Sequence, residues 1–177
     1  MKEPRYDHID RILDQWRRER PDLDVAPLGL FGRLFRAAHL ADSALSEMLA
    51  GFNLHPGWFD VLAALRRSGP PYELNPTQLM RTTLLSSGGM TKRLDRLAEA
   101  GLVERRIDPD DRRGTLIRLT RRGKSAIDKA IKAHLANEAV LLRSLSPAQR
   151  RSLDELLRKL LADLEGSDGS RLREVPD

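Results

Sequence analysis

Between Thr91 and Lys124 the chain carries eleven Lys or Arg against six Asp or Glu, a net charge of +5. The whole chain is also +5, so the remainder is close to neutral and the excess is local. A confined cluster of cations is the electrostatic footprint of a phosphate-bearing partner. Lys92 and Arg96 stand four residues apart, and Arg112 and Arg113 follow in the run DPDDRRG. Ser86, Ser87 and Thr91 accompany the first pair with short hydroxyls that suit base edges and backbone oxygens.

The elements around these residues are read from periodicity. Met90, Leu94 and Leu97 recur at i, i+4 and i+7, which predicts a short amphipathic helix. Ser86 and Ser87 are expected to cap its start, and Gly101 falls where a left-handed C-terminal residue belongs. Thr91, Lys92, Asp95 and Arg96 then share the opposite, polar face. Two β-branched runs, 102–107 and 115–119, follow as half-buried strands, with Val103, Ile107, Ile117 and Leu119 facing inward. Pro, Asp and Gly between them favour a turn whose tip presents two arginines. A helix feeding a hairpin with a basic tip is the outline of a winged helix-turn-helix. In such a module the helix reads the major groove. Arg113 would enter the minor groove, Arg112 would meet phosphate, and Asp111 would orient an arginine.

Helices flank this module. Asp7 is a plausible cap for a helix to Arg20, with Ile9, Ile12, Leu13 and Trp16 on one face, docked through Trp16. Pro27 opens a long helix to about Ala50, and residues 57–67 form another. Asn75-Pro76 is a good start for a short helix to Arg81. Thr120 caps a long helix to about Arg143, and the capping-box sequence Ser146-Pro147-Ala148-Gln149 launches a last, leucine-rich one. Its apolar face is wider than a lone surface helix requires, which calls for a partner helix. The expected fold is mainly α: a winged helix-turn-helix (about 57–120) between long N- and C-terminal dimerisation helices, 27–50 and 120–165. Residues 1–26 form an extra N-terminal helix and loop, and 166–177 a flexible tail.

Composition excludes several classes. At 177 residues the chain suffices for one core and is short for two ordinary domains. Cysteine is absent, so no disulfide, thiolate metal site or thiol switch is available. His8, His39, His55 and His134 show no metal-ligand spacing, and no cofactor is expected. The chain has no G-x-S-x-G, no phosphate loop followed by Lys-Ser/Thr and no H-E-x-x-H, so an enzyme is not expected. Ser86-Ser87-Gly88-Gly89 reads as a turn and cap rather than as a nucleophile. No stretch is long and apolar enough to span a membrane and no secretory signal opens the chain, which points to the cytoplasm.

The run GGMTKRLDRLAEAGLVERRIDPDDRRGTLIRLTRRG resembles the winged helix of the MarR family of bacterial transcriptional regulators. The D-x-R step (Asp111, Arg113) and the following L-T-x-x-G (Leu119, Thr120, Gly123) match that family's pattern. The resemblance implies a homodimer, a pseudo-palindromic double-stranded DNA operator and a repressor released by a small ligand. Trp16 in DQWRRERPDLD, Asp60 in WFDVLAAL, Arg93 in TKRLDRL and Arg105 in LVERR narrow it further. Together they resemble the urate-responsive branch, which includes PecS-like and trans-aconitate-responsive members. That likeness implies an anion held by Trp16, Asp60, Arg93 and Arg105. Two arginine forks suit a planar anion, and an indole suits a flat ring. Asp60 is expected to pair with an arginine before the anion arrives. The rival readings are a constitutive, architectural DNA-binding protein without effector and a MarR-type regulator sensing a phenolic compound.

Overall fold

The computed structural model describes residues 6–83, 89–109 and 114–166. Along the chain come α1 (His8–Glu19), α2 (Ala26–Ala50), α3 (Pro56–Arg67), β1 (Glu73–Leu74), α4 (Pro76–Thr82) and α5 (Met90–Glu99). The strands β2 (Val103–Ile107) and β3 (Thr115–Leu119) and the helices α6 (Arg121–Leu141) and α7 (Pro147–Gly166) complete it. The chain divides into two compact units, Met1–Leu135 and Ala136–Asp177, so the boundary falls within α6.

In the first unit, Asp7 caps α1 reciprocally: its carboxylate accepts from the Asp10 amide (2.9 Å) and its own amide donates to Asp10 (2.8 Å). Arg33 on α2 donates to both carboxylates, at 2.8 and 2.6 Å, and so ties the start of α1 to α2. The helix packs through Ile9 and Leu13, only 8% and 4% exposed, and not through Trp16, which is 42% exposed. Two glycines of α2 explain this packing. A Cβ on Gly29 would stand 3.0 Å from Leu13, and one on Gly32 would stand 3.2 Å from Ile9. Their bare backbone forms the groove that receives α1, and Trp16 lies beyond it.

The winged-helix core is built from α3, α4, α5 and the sheet. Val61, Leu62 and Leu65 meet Leu79, Leu94, Leu97, Ile117 and Ile127, all at most 2% exposed. Asn75 and Gln78 form a reciprocal capping box at the start of α4 (2.8 and 2.9 Å). The start of α5 differs from the sequence expectation. Its N-cap is Gly89, in the left-handed region at φ +82, where the sequence suggests a serine. A left-handed residue at Gly89 starts the helix at Met90, and Ser86 and Ser87 lie outside the described residues. At the other end Gly101 (φ +67) completes the paired bonds of a Schellman turn, Leu102 to Leu97 (3.0 Å) and Gly101 to Ala98 (2.8 Å).

The sheet is antiparallel in the order β1-β3-β2, with Val103 opposite Leu119 and Ile107 opposite Thr115. β3 buries Ile117 and Leu119 as its alternation requires, but β2 buries only Val103. Ile107, expected inward, is 75% exposed. It sits on an edge strand at the turn end of the hairpin, beyond the reach of the helices. From the opposite end of the hairpin, Thr120 starts α6: its hydroxyl accepts from the Gly123 amide (2.9 Å) and donates to the Gly101 carbonyl (2.7 Å).

In the second unit, Ser146 and Gln149 exchange the two bonds of a capping box (2.8 and 3.3 Å). The helix they open, α7, has no buried residue. Among the described residues, no helix is long and apolar enough to cross a membrane.

Candidate nucleic-acid interface and adjoining cleft

Burial of Met90, Leu94 and Leu97 fixes the rotation of α5, so Thr91, Lys92, Asp95 and Arg96 are turned to solvent. Lys92 and Arg96 lie one turn apart on this face. Asp95 does not face a partner freely. Arg105 on β2 donates to its carboxylate at 2.6 Å, bracing the recognition helix against the hairpin. Ser86 and Ser87 before the helix, and Asp111, Arg112 and Arg113 at the wing, lie outside the described residues.

Where α5 passes the start of α3, the surface opens into a cleft of about 290 Å³. Lys92, Arg93, Arg96 and Gly89 line it from one side, and His55, Gly57 and Trp58 from the other. The His55 and Trp58 rings meet edge to face at 5.6 Å. Arg93 lies directly over Gly57, where a Cβ would stand 2.6 Å from its Nε. Glycine is therefore what lets the guanidinium reach the floor of the cleft. Its Nη1 is buried and makes no hydrogen bond to a described residue. A charged donor without a partner is costly, and an anion entering the cleft would relieve that cost. Three cations and two aromatic rings suit a small, flat anion.

Asp60, one turn further along α3, is half-buried, and burial pushes its carboxyl above the ordinary range. Arg67, His134 and Arg93 pull it back down electrostatically without cancelling the effect. The expected ion pair between Asp60 and an arginine does not form among the described residues, because Arg105 is taken by Asp95 and Arg93 leans on Gly57. The charges nearest Asp60 therefore act through space. Arg93 and Asp60 share one neighbourhood, whereas Trp16 is exposed on α1 and Arg105 is engaged on the hairpin.

The raised carboxyl makes a pH prediction. A carboxyl whose folded pKa exceeds its unfolded value loses stability as pH rises from the unfolded toward the folded value. Asp60→Asn removes that loss. Its melting temperature relative to the native protein should therefore climb from pH 3 to pH 7. A difference constant over that interval would contradict the burial argument.

The comparisons with known proteins agree with this geometry. A model of the MarR family matches residues 52–114. The HTH-type transcriptional regulator PecS of Dickeya dadantii (strain 3937) is 39% identical over 153 residues, 86% of this chain and 92% of that protein. The chain belongs to the MarR family. This MarR-family fold is also that of a mutant MarR from E. coli complexed with operator DNA. The TM-score is 0.68 and the identity 28%, covering 77% of this chain and 95% of that one. It is likewise similar to Bordetella bronchiseptica BpsR, whose DNA binding is regulated by 6-hydroxynicotinic acid (TM-score 0.65, 25% identity, 72% and 89% covered). The protein is thus a winged-helix, DNA-binding transcriptional regulator and not an enzyme.

His55, Gly57 and Trp58 were invisible as a site from the MarR-type sequence alone. They lie more than thirty positions from Arg93, and only the packing of α3 against α5 unites them.

Proposed function

We propose that this regulator is a repressor released from a pseudo-palindromic operator by a small anion of urate-like or carboxylate type. The buried, unpartnered Arg93 Nη1 in a cleft lined by cations is the observation that carries this reading. The likeness to PecS favours the same branch, and the aromatic acid named for BpsR is of the same chemical kind. Arg93 and Asp60 are the members of the ligand set that the geometry supports. Trp16 and Arg105 belong to it by resemblance. Because Arg93 sits on α5, an anion that draws its guanidinium would bias the helix, and DNA and anion would then prefer different conformers.

At the DNA, Ser86, Ser87, Thr91, Lys92 and Arg96 approach bases and backbone. Arg112 takes a phosphate, Arg113 the minor groove, and Asp111 orients an arginine. A second copy of the chain completes the site. Leu30 and Phe35 on α2 are 64% and 66% exposed, and Leu156 and Leu161 on α7 are 67% and 53% exposed. A 20-residue helix that buries nothing in its own chain needs such a partner. Helices 27–50 and 120–165 would make the dimer, with 1–26 as an added helix and loop and 166–177 as a tail. A two-fold dimer would place two α5 helices on successive major grooves.

The test is a titration of the protein's own upstream DNA with and without urate and trans-aconitate. In the native protein an effector should weaken binding by about 5- to 150-fold, the span of ordinary coupling energies. Arg93→Ala should bind DNA and ignore the anion. A variant that still releases DNA with the anion would remove Arg93 from the mechanism.

A further inference from the structure

A second basic cavity lies on α6, away from the elements that approach DNA. It is an open groove of about 450 Å³. Arg121, Lys124, Lys129 and Lys132 line it, with Ser125 and Asp128 between them. Asp128, the acid among these residues, is already committed to Arg66 at 2.7 Å. None of the four α6 cations makes an ion pair with a described residue. Lys124 is held over the Tyr72 ring at 4.7 Å, and Arg66 stands 5.1 Å from the same ring. Counting Arg66 and Asp128, the patch carries five positive charges and one negative. Cations so crowded repel one another and lower their mutual cost when an anion joins them.

We propose that this cavity binds a linear polyphosphate anion, either a short inorganic chain or the phosphate tail of a nucleotide. Length and ligand type both favour it. From Arg121 to Lys132 the helix rises about 16 Å, too far for one phosphate to bridge. Three of the four cations are lysines, compact point charges on flexible stems, which suit a chain of phosphates better than one planar carboxylate. None of the lining residues belongs to α5 or to the Arg93 cleft. Val103 pairs with Leu119 at one end of the hairpin and the wing turn lies at the other, so α6 leaves from the end opposite the turn. The site is therefore separate from the Arg93 cleft and would report a different signal.

Calorimetric titration of the full chain with inorganic tripolyphosphate, at ionic strength fixed by chloride, tests this. Binding should weaken tenfold or more in Lys129→Gln/Lys132→Gln and stay within about threefold of native in Arg17→Gln/Arg18→Gln, an exposed pair on α1 that lines neither cavity, since charge-assisted contacts are lost only in the first. ATP competing for the same site would assign it to a nucleotide tail, and ATP failing to compete would assign it to the inorganic chain. Either result supports the proposal. Absence of heat with tripolyphosphate, or equal weakening in both variants, overturns it. So does displacement by sulfate at matched charge concentration, which would mean diffuse attraction only. A loss of scrambled-duplex affinity in the Lys129/Lys132 variant, with tripolyphosphate binding intact, would give the patch to nucleic acid and also overturn it.

Discussion

Gly123→Ala is expected to lower the melting temperature by roughly 10 °C. A Cβ at this position would overlap the Leu102 carbonyl oxygen and stand 2.9 Å from its carbonyl carbon. Both are backbone atoms, so no rotamer change can make room. Leu102 is also fixed from both sides: its amide donates to Leu97 (3.0 Å) and its carbonyl accepts from Thr120 (3.1 Å). Overpacking at a site that cannot relax costs about 3 kcal/mol. In a domain of this size that is about 6–12 °C. Gly166, where an added Cβ would meet nothing within 4 Å, is the control, and Gly166→Ala should leave the transition where it is. A Gly123→Ala protein melting with the native one would show that α6 does not abut Leu102 as described. The same contact matters for DNA binding, because it fixes where α6 leaves the hairpin that braces α5.

Replacing Lys92 and Arg96 together should have the largest effect on operator binding. Both are exposed on the face that burial of Leu94 and Leu97 turns outward, and both line the cleft beside Gly57. Loss of a good base-edge contact by Arg96 costs about 1–3 kcal/mol, roughly 5- to 150-fold in affinity. Loss of a phosphate contact by Lys92 adds a smaller, sequence-independent decrease and lowers the slope of log K against log salt by about 0.9. The double variant should also discriminate less between operator and scrambled duplex. Filter binding at several chloride concentrations reads all three effects. An unchanged slope together with unchanged discrimination would place the DNA surface elsewhere.

Local rules made most of the helices legible. Asp7, Asn75, Thr120 and Ser146 each cap the helix they are expected to open, because a cap and its partner three residues on are read directly from the chain. The α5 stripe is equally plain, since Met90, Leu94 and Leu97 obey one period and are all buried. The departures share a cause. Trp16 and Ile107 depend on what another segment offers: a glycine groove that ends before Trp16, and helices that stop short of the turn end of the hairpin. The cleft is harder still. Arg93 reads as one more cation on a polar face until Gly57 is seen to leave room beneath it. Asp60 reads as an arginine's partner, but Asp95 captures Arg105 instead. Contacts set by tertiary packing leave no period in the sequence.

The measurement closest to the central claim is a titration of the native protein against its own upstream DNA and a scrambled duplex, over a range of chloride concentrations. Two chains should bind per operator, with an affinity that falls steeply with salt. Operator should be preferred over scrambled DNA by about 10³-fold or more. One chain per duplex, or equal affinity for both duplexes, would contradict a dimeric, sequence-reading regulator.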